Sequence, residues 1–166
     1  MTRWRPITAT IISVLGLAIA TYLTYEHYAT ATGAPNSCLF GGSANSVINC
    51  GAVTTSAQSI ILGLPVALYG AVFFVFMTVI NLPVLWRSTS VWVARLRVAA
   101  AIAGIGMVIY LISVETLIVH HICIWCTGVH ILMFALFVLI TTGWQDTGWA
   151  QSQWSDEELE SDYAPA

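Results

Sequence analysis

The chain has 166 residues, 58% of them hydrophobic and only 8% charged, with a formal net charge of −3. Soluble domains carry about 25% charged residues, so this composition excludes an ordinary water-soluble domain and requires an apolar solvent. All five cations are Arg and six of the eight acids follow Gly143, so nothing here is basic enough to bind nucleic acid.

In chain order, Pro6 is well placed at a helix start, and the uncharged run Ile7–Tyr25 predicts a first span. Nineteen residues at helical rise cover about 28 Å, close to a hydrocarbon core. Arg3, Arg5 and the small residues Ala29, Thr30 and Ala31 also resemble a secretory signal. An apolar run of 19 residues exceeds the usual signal core of roughly 7–15, so an uncleaved helix is expected. No Asp, Glu, Lys or Arg lies between Glu26 and Arg87, which fits membrane plus an uncharged loop. The segment Tyr28–Thr55, with Gly41, Gly42 and Ser43, reads as that loop and holds Cys38 and Cys50. Ser56–Leu64 predicts a short helical segment ending near Gly63 and Pro65.

A second span is expected over Pro65–Trp86, a connector over Arg87–Arg97 and a third span over Val98–Val119. His120 and His121 make a turn. The fourth span, 122–144, opens with Cys123-Ile-Trp-Cys126. The acidic segment Gln145–Ala166 reads as a disordered tail. Four spans put Arg3, Arg5, Arg87, Arg95 and Arg97 on one side, cytoplasmic by the positive-inside rule. All four cysteines then lie outside, with both termini cytoplasmic.

Cysteines at i and i+3 share a helix face. A helix N-terminus also favours a thiolate through its free N–H groups and dipole. Outside the cytoplasm, such a pair suits redox chemistry. Two other readings stand beside it: structural disulfides Cys38–Cys50 and Cys123–Cys126, or a four-thiolate zinc site. A Cys-x-x-Cys disulfide closes a tiny ring and adds little chain-entropy stabilisation. Zinc requires four thiolates kept reduced. No haem, flavin or thioredoxin motif is visible, whereas a lipid-soluble quinone needs only an apolar pocket, which Cys126 would face.

The segments Cys50-Gly-Ala-Val-Thr-Thr-Ser56, Ile61-Leu-Gly-Leu-Pro-Val-Ala-Leu-Tyr-Gly70 and Cys123-Ile-Trp-Cys126 resemble bacterial members of the vitamin K epoxide reductase family. The resemblance covers essentially Ile7–Trp144. It implies an all-α integral membrane protein, a four-transmembrane-helix bundle in residues 1–144 whose outer loop and short helix cap a quinone. It further implies a bacterial cell-membrane enzyme whose cofactor is a quinone, menaquinone or ubiquinone. Its partner would be an extracytoplasmic thioredoxin-fold (DsbA-like) oxidoreductase that introduces disulfides into exported proteins. Cys123 and Cys126 become the active pair with Cys126 as donor to quinone, Cys38 and Cys50 the loop shuttle, and Ser56 a polar neighbour of the quinone head.

Two positions depart from the vertebrate members. Ser59 stands where they carry Asn, and His130 where they carry Tyr. Both are therefore candidate quinone contacts, and the resemblance extends to quinone reduction but not to epoxide reduction. Glu115, the only formal charge inside an expected span, is a fourth candidate. Intramembrane acids are costly and often functional, although near the interface a solvated or hydrogen-bonded carboxylate is equally compatible. Trp4, Trp86, Trp144 and Trp125 are expected as interface anchors. Gly16-x-x-x-Ala20 and Ala67-x-x-x-Ala71 suit close helix packing. From another class, the rival is a non-catalytic membrane scaffold rigidified by its disulfides.

Overall fold

The computed structural model describes residues 4–33, 47–86 and 90–144. Cys38 and the acidic tail, with what was expected of them, lie outside these residues. Helix α1 (Trp4–Ala31) is followed by short α2 (Cys50–Thr54), a 3-10 turn (Ala57–Ser59) and a hairpin of β1 (Ile60–Ile61) with β2 (Leu64–Pro65). Then come α3 (Val66–Ile80), α4 (Pro83–Trp86), α5 (Val91–Ser113), a π-type turn (Val114–Val119) and α6 (Ile124–Trp144).

Among the described residues, three helical stretches are long and apolar enough to cross a membrane: Trp4–Ala31, Trp92–Val119 and Ile124–Gly143. The fourth apolar helix, Val66–Ile80, has 15 residues. Their outward faces carry exposed Ile11, Val72, Ile102, Ile109, Ile131 and Phe134. A helix that is apolar on its exposed side as well as its buried side is built for lipid. The chain is an all-α membrane protein.

Several expected boundaries are corrected. The second span does not run unbroken over 65–86, because Pro83 removes a backbone donor and crowds the preceding turn. Instead α3 ends at Ile80, with Asn81 as its C-cap, and α4 starts at Pro83. The expected helix over Ser56–Leu64 is only the three-residue turn Ala57–Ser59 followed by the hairpin. Leu62 and Gly63 both have positive φ, 52° and 81°, the conformation of a two-residue primed hairpin turn. Helix α1 continues beyond Tyr25 and carries Glu26 and His27, with Glu26 buried. Arg95 and Arg97 belong to α5 rather than to a connector.

Buried Arg97 donates from Nε and Nη2 to the Ile80 carbonyl at 3.3 and 2.8 Å and stacks over Trp86. That carbonyl has lost its helical partner where α3 stops, so the guanidinium satisfies an acceptor stranded by Pro83. Asn81 joins the same knot. Its amide nitrogen donates to Ser13 Oγ, its amide oxygen accepts from Trp86 Nε1, and its carbonyl accepts from Thr10 Oγ1. Trp86 is thus half-buried and tied into the knot through its indole N–H and ring face. Arg5 donates to the Thr142 carbonyl at this same end.

Helices α1 and α3 pack closely through Gly16, Ala20, Gly70 and Phe74. A Cβ on Gly16 would overlap the Phe74 ring, and one on Gly70 would lie 3.7 Å from Ala20 Cβ. Gly16→Val should therefore lower the thermal unfolding midpoint in detergent, at an overpacking cost of about 1–3 kcal/mol. Gly106→Ala, where nothing lies within 4 Å, should not; equal midpoints for the two variants would refute this account of the packing.

Candidate functional site

At the end opposite the arginines, the backbone before α2 pairs with the backbone before α6. Asn49 N–H donates to the Ile122 carbonyl at 3.1 Å, and Ile122 N–H donates to the Val47 carbonyl at 2.8 Å. The bridge sets two helix N-termini side by side. Asn49 caps α2 by accepting from Ala52 N–H, so Cys50 is its first residue. Cys123 stands immediately before α6, where its carbonyl accepts from Thr127 N–H at 2.9 Å and its sulfur from Cys126 N–H at 3.3 Å. It occupies the capping position usually held by Ser or Asp.

Cys50, Cys123 and Cys126 consequently meet. Cys50 and Cys123 are fully buried, packed with Leu23 and Val53 and flanked by Trp125 and Val129. Cys123 is the middle sulfur, within hydrogen-bonding reach of both Cys126 and Cys50. Hydrogen bonding from the Cys126 thiol lowers the Cys123 pKa from its ordinary value. The Cys126 N–H and the Cys50 thiol act in the same direction, while burial opposes them. These contacts favour the Cys123 thiolate.

The far side of Cys126 opens into a cavity of about 430 Å³ between α1, α3, α5 and α6, a size normal for small-molecule sites. Apolar side chains make up most of the wall, among them Leu23, Phe73, Phe74, Met107 and Met133. All four sequence-derived candidates reach it: Ser56, Ser59, Glu115 and His130. Glu115 is not solvated at an interface. It is 6% exposed, sits on the π-type turn, and lies within hydrogen-bonding reach of the Cys126 thiol. His130, one helical turn beyond Cys126, is buried in the same wall.

The two serines differ from that pair. Ser56 Oγ donates to the Val53 carbonyl at 2.9 Å, and Ser59 Oγ donates to the Thr54 and Ser56 carbonyls, each at 2.7 Å. Their protons serve the turn, which leaves lone pairs rather than donors for the cavity. Tyr69 is similar, donating to the Ile61 carbonyl at 3.1 Å.

Sequence reasoning missed His27 and Gln58, which also line the cavity. His27 Nδ1 lies 2.8 Å from the Thr54 carbonyl, which fixes Nδ1 as the protonated nitrogen because a carbonyl only accepts. His27 lies just past the expected span end, and only the true length of α1 brings it alongside α2. Trp125 is not an outer anchor. Its ring packs on Tyr22 at 5.2 Å between centroids, and its indole N–H is buried.

Removing the Cys126 thiol should move the first thiol titration of reduced protein upward, because Cys123 loses its main hydrogen-bond donor. Ultraviolet thiolate absorbance of Cys38→Ser protein, with and without Cys126→Ala, measures this. A first titration that stays in place would show that the Cys126 thiol does not stabilise the Cys123 thiolate.

No curated protein matches the chain. The model of the vitamin K epoxide reductase family matches residues 7–141, a stretch that holds the bridge, all four cysteines and the cavity wall. The chain belongs to the vitamin K epoxide reductase family of membrane oxidoreductases, which work in connection with quinones.

Proposed function

We propose that this protein is a four-span membrane enzyme that passes electrons from a reduced thioredoxin-fold partner through its cysteines to quinone, driving disulfide formation in exported proteins. The observation that carries this reading is the contact series Cys50, Cys123, Cys126, which ends at an apolar cavity. A structural disulfide needs no third thiol and no chamber beside it. Helix α3 counts as the fourth span, with α4 and the Arg97 knot completing its passage to the cytoplasmic surface. Arg5, Arg95 and Arg97 lie at the end away from the cysteines, which supports an extracytoplasmic thiol site under the positive-inside rule.

The cavity fits a quinone, since its wall offers apolar contact for ring and tail with few polar groups. Bound there, quinone supplies a two-electron, two-proton acceptor. The partner dithiol attacks the Cys38–Cys50 disulfide and leaves oxidised, with two electrons now on the loop thiols. Cys50 then attacks Cys123 of the Cys123–Cys126 disulfide, releasing Cys126, which takes up the proton that the Cys50 thiol gives up. Attack of Cys38 on Cys50 restores the loop disulfide and frees Cys123. Each exchange proceeds through a mixed disulfide. With a quinone held in the cavity, the reduced Cys123–Cys126 pair would supply its two electrons and close again as a disulfide. His130 and Gln58 are the donors available to a quinone carbonyl, because Ser56, Ser59 and Tyr69 have committed their protons to backbone carbonyls.

Purified protein with a reduced thioredoxin-fold partner and either menaquinone or ubiquinone should form quinol. Cys126→Ser should abolish quinol formation and accumulate a Cys50–Cys123 bond, formed as Cys123 attacks the Cys38–Cys50 disulfide, whereas Cys50→Ser should accumulate a Cys38–partner bond when its free Cys38 thiol meets the oxidised partner's disulfide. His130→Ala should weaken quinone use more than Ser56→Ala, whose neutral hydrogen bond is worth about 0.5–1.5 kcal/mol. Normal turnover by Cys126→Ser would refute the electron route. Mass spectrometry showing Cys38 joined to Cys123 would exchange the roles of the loop cysteines.

The membrane orientation has its own test. An impermeant maleimide added to intact cells after reduction should label a loop cysteine. Labelling that requires lysis would place the thiols on the other side.

A further inference from the structure

Cys126 presents a chemical difficulty that the electron route leaves open. Of the reduced pair, Cys123 is the sulfur that caps α6 and accepts the Cys126 N–H, which makes it the better seat for a thiolate and leaves the pair's proton to Cys126. A thiol must lose its proton to act as a nucleophile or electron donor, yet Cys126 faces a cavity walled mostly by apolar side chains. Among the described residues, one carboxyl lines that cavity, and it lies against the Cys126 thiol: Glu115.

The local backbone aims it there. Helix α5 gives way to the π-type turn Val114–Val119, which ends at His120 with a left-handed φ of 56°. Val114 and Glu115 are buried, while Thr116, Leu117 and Ile118 face outward. Turns of this type are uncommon and concentrate at functional sites. An ionisable side chain buried within a span, here near its outer end, is retained for chemistry more often than for stability. The other titratable groups around it are His27 of α1, Tyr69 of α3, Cys126 and His130 of α6, with Cys50 and Cys123 behind Cys126.

We propose that Glu115 is the catalytic base for Cys126: its carboxylate takes the Cys126 proton as the thiol reacts and then delivers that proton to the reduced quinone. The step balances. The Cys126 S–H bond breaks and its proton moves to Glu115, while the Cys123–Cys126 S–S bond forms with the departure of two electrons. Cys123 enters as a thiolate and contributes no proton. Of the two protons that quinol gains, one comes from Glu115 and the other from water at the outer end of the bundle. Glu115 is then a carboxylate again, ready for the next cycle.

The inference rests on the quinone-reduction reading for its second half, but its first half can be measured without quinone. Reduced protein lacking Cys38 and Cys50 is treated with N-ethylmaleimide, a small apolar electrophile, and modification of Cys126 is followed by mass spectrometry across pH. Glu115→Gln should slow Cys126 alkylation about 100-fold near neutral pH, within the range usual for loss of a general base. The rate should then climb about tenfold per pH unit as hydroxide replaces the missing base. A single turnover of fully native-sequence enzyme against the same substitution should show a matching loss in quinol formation.

The opposite role predicts the opposite sign. Were Glu115 only a fixed negative charge disfavouring the neighbouring thiolate, Glu115→Gln would speed alkylation. An equal or faster rate overturns the proposal. Should that variant fail to fold, Glu115→Asp keeps the acid one carbon shorter and should fall between the two rates; a rate at or above native there overturns it equally. Native protein that reduces no quinone, yet shows Glu115-dependent alkylation, would sink the quinone reading and leave the base in place.

Discussion

Two backbone hydrogen bonds, from Asn49 to Ile122 and from Ile122 to Val47, set the geometry on which the thiol cluster depends. They join segments more than seventy residues apart at the points where α2 and α6 begin. Without them Cys50 would belong to a loop free to approach many places. With them, two helix N-termini are side by side, and each carries a cysteine at its start. Helix starts expose unpaired N–H groups and the positive end of the peptide dipoles, so the bridge gathers positive potential where thiolate chemistry needs it.

The opposite end of the bundle solves a different problem. Pro83 stops α3 early and strands the Ile80 carbonyl inside an apolar medium, where an unsatisfied acceptor costs several kcal/mol, on the order of 2–7. Arg97 and the Asn81 amide resolve this with groups that are themselves expensive to bury. Each is tied into hydrogen bonds and, for Arg97, stacked on Trp86. The polar knot therefore fixes where α3, α4 and α5 stand relative to α1. Close contact of Gly16 with Phe74 then holds α1 against α3 beneath the cavity, which keeps that wall apolar up to Cys126.

Much of this was legible in the sequence because its signals are local. Charge-free runs located the helices, and the Cys-x-x-Cys spacing placed two sulfurs at one helix start. Cavity residues were legible through resemblance for Ser56, Ser59 and His130, and through the cost of a buried acid for Glu115. What stayed hidden depends on tertiary partners. Nothing near Arg97 in the chain announces that Ile80 will need a donor, so it read as part of a connector. The Leu62-Gly63 turn was masked because Leu rarely adopts positive φ, and so the region read as helix. His27 was overlooked because its value comes from Thr54, a residue of another element.

The Cys-x-x-Cys pair is chemically asymmetric, and that asymmetry gives the site a direction. Cys123 lies outside the helix and collects donors: the Cys126 N–H, the Cys126 thiol and the Cys50 thiol. Cys126 lies within the first turn, its own N–H spent on its neighbour, and faces a chamber poor in donors. A cysteine that holds charge is the better partner for incoming thiol–disulfide exchange, since a more stable thiolate also leaves more readily. A cysteine that holds its proton beside an apolar chamber is suited instead to a coupled loss of proton and electrons. One helix start thus separates two kinds of sulfur chemistry by three residues, with Cys50 on one side and Glu115 on the other.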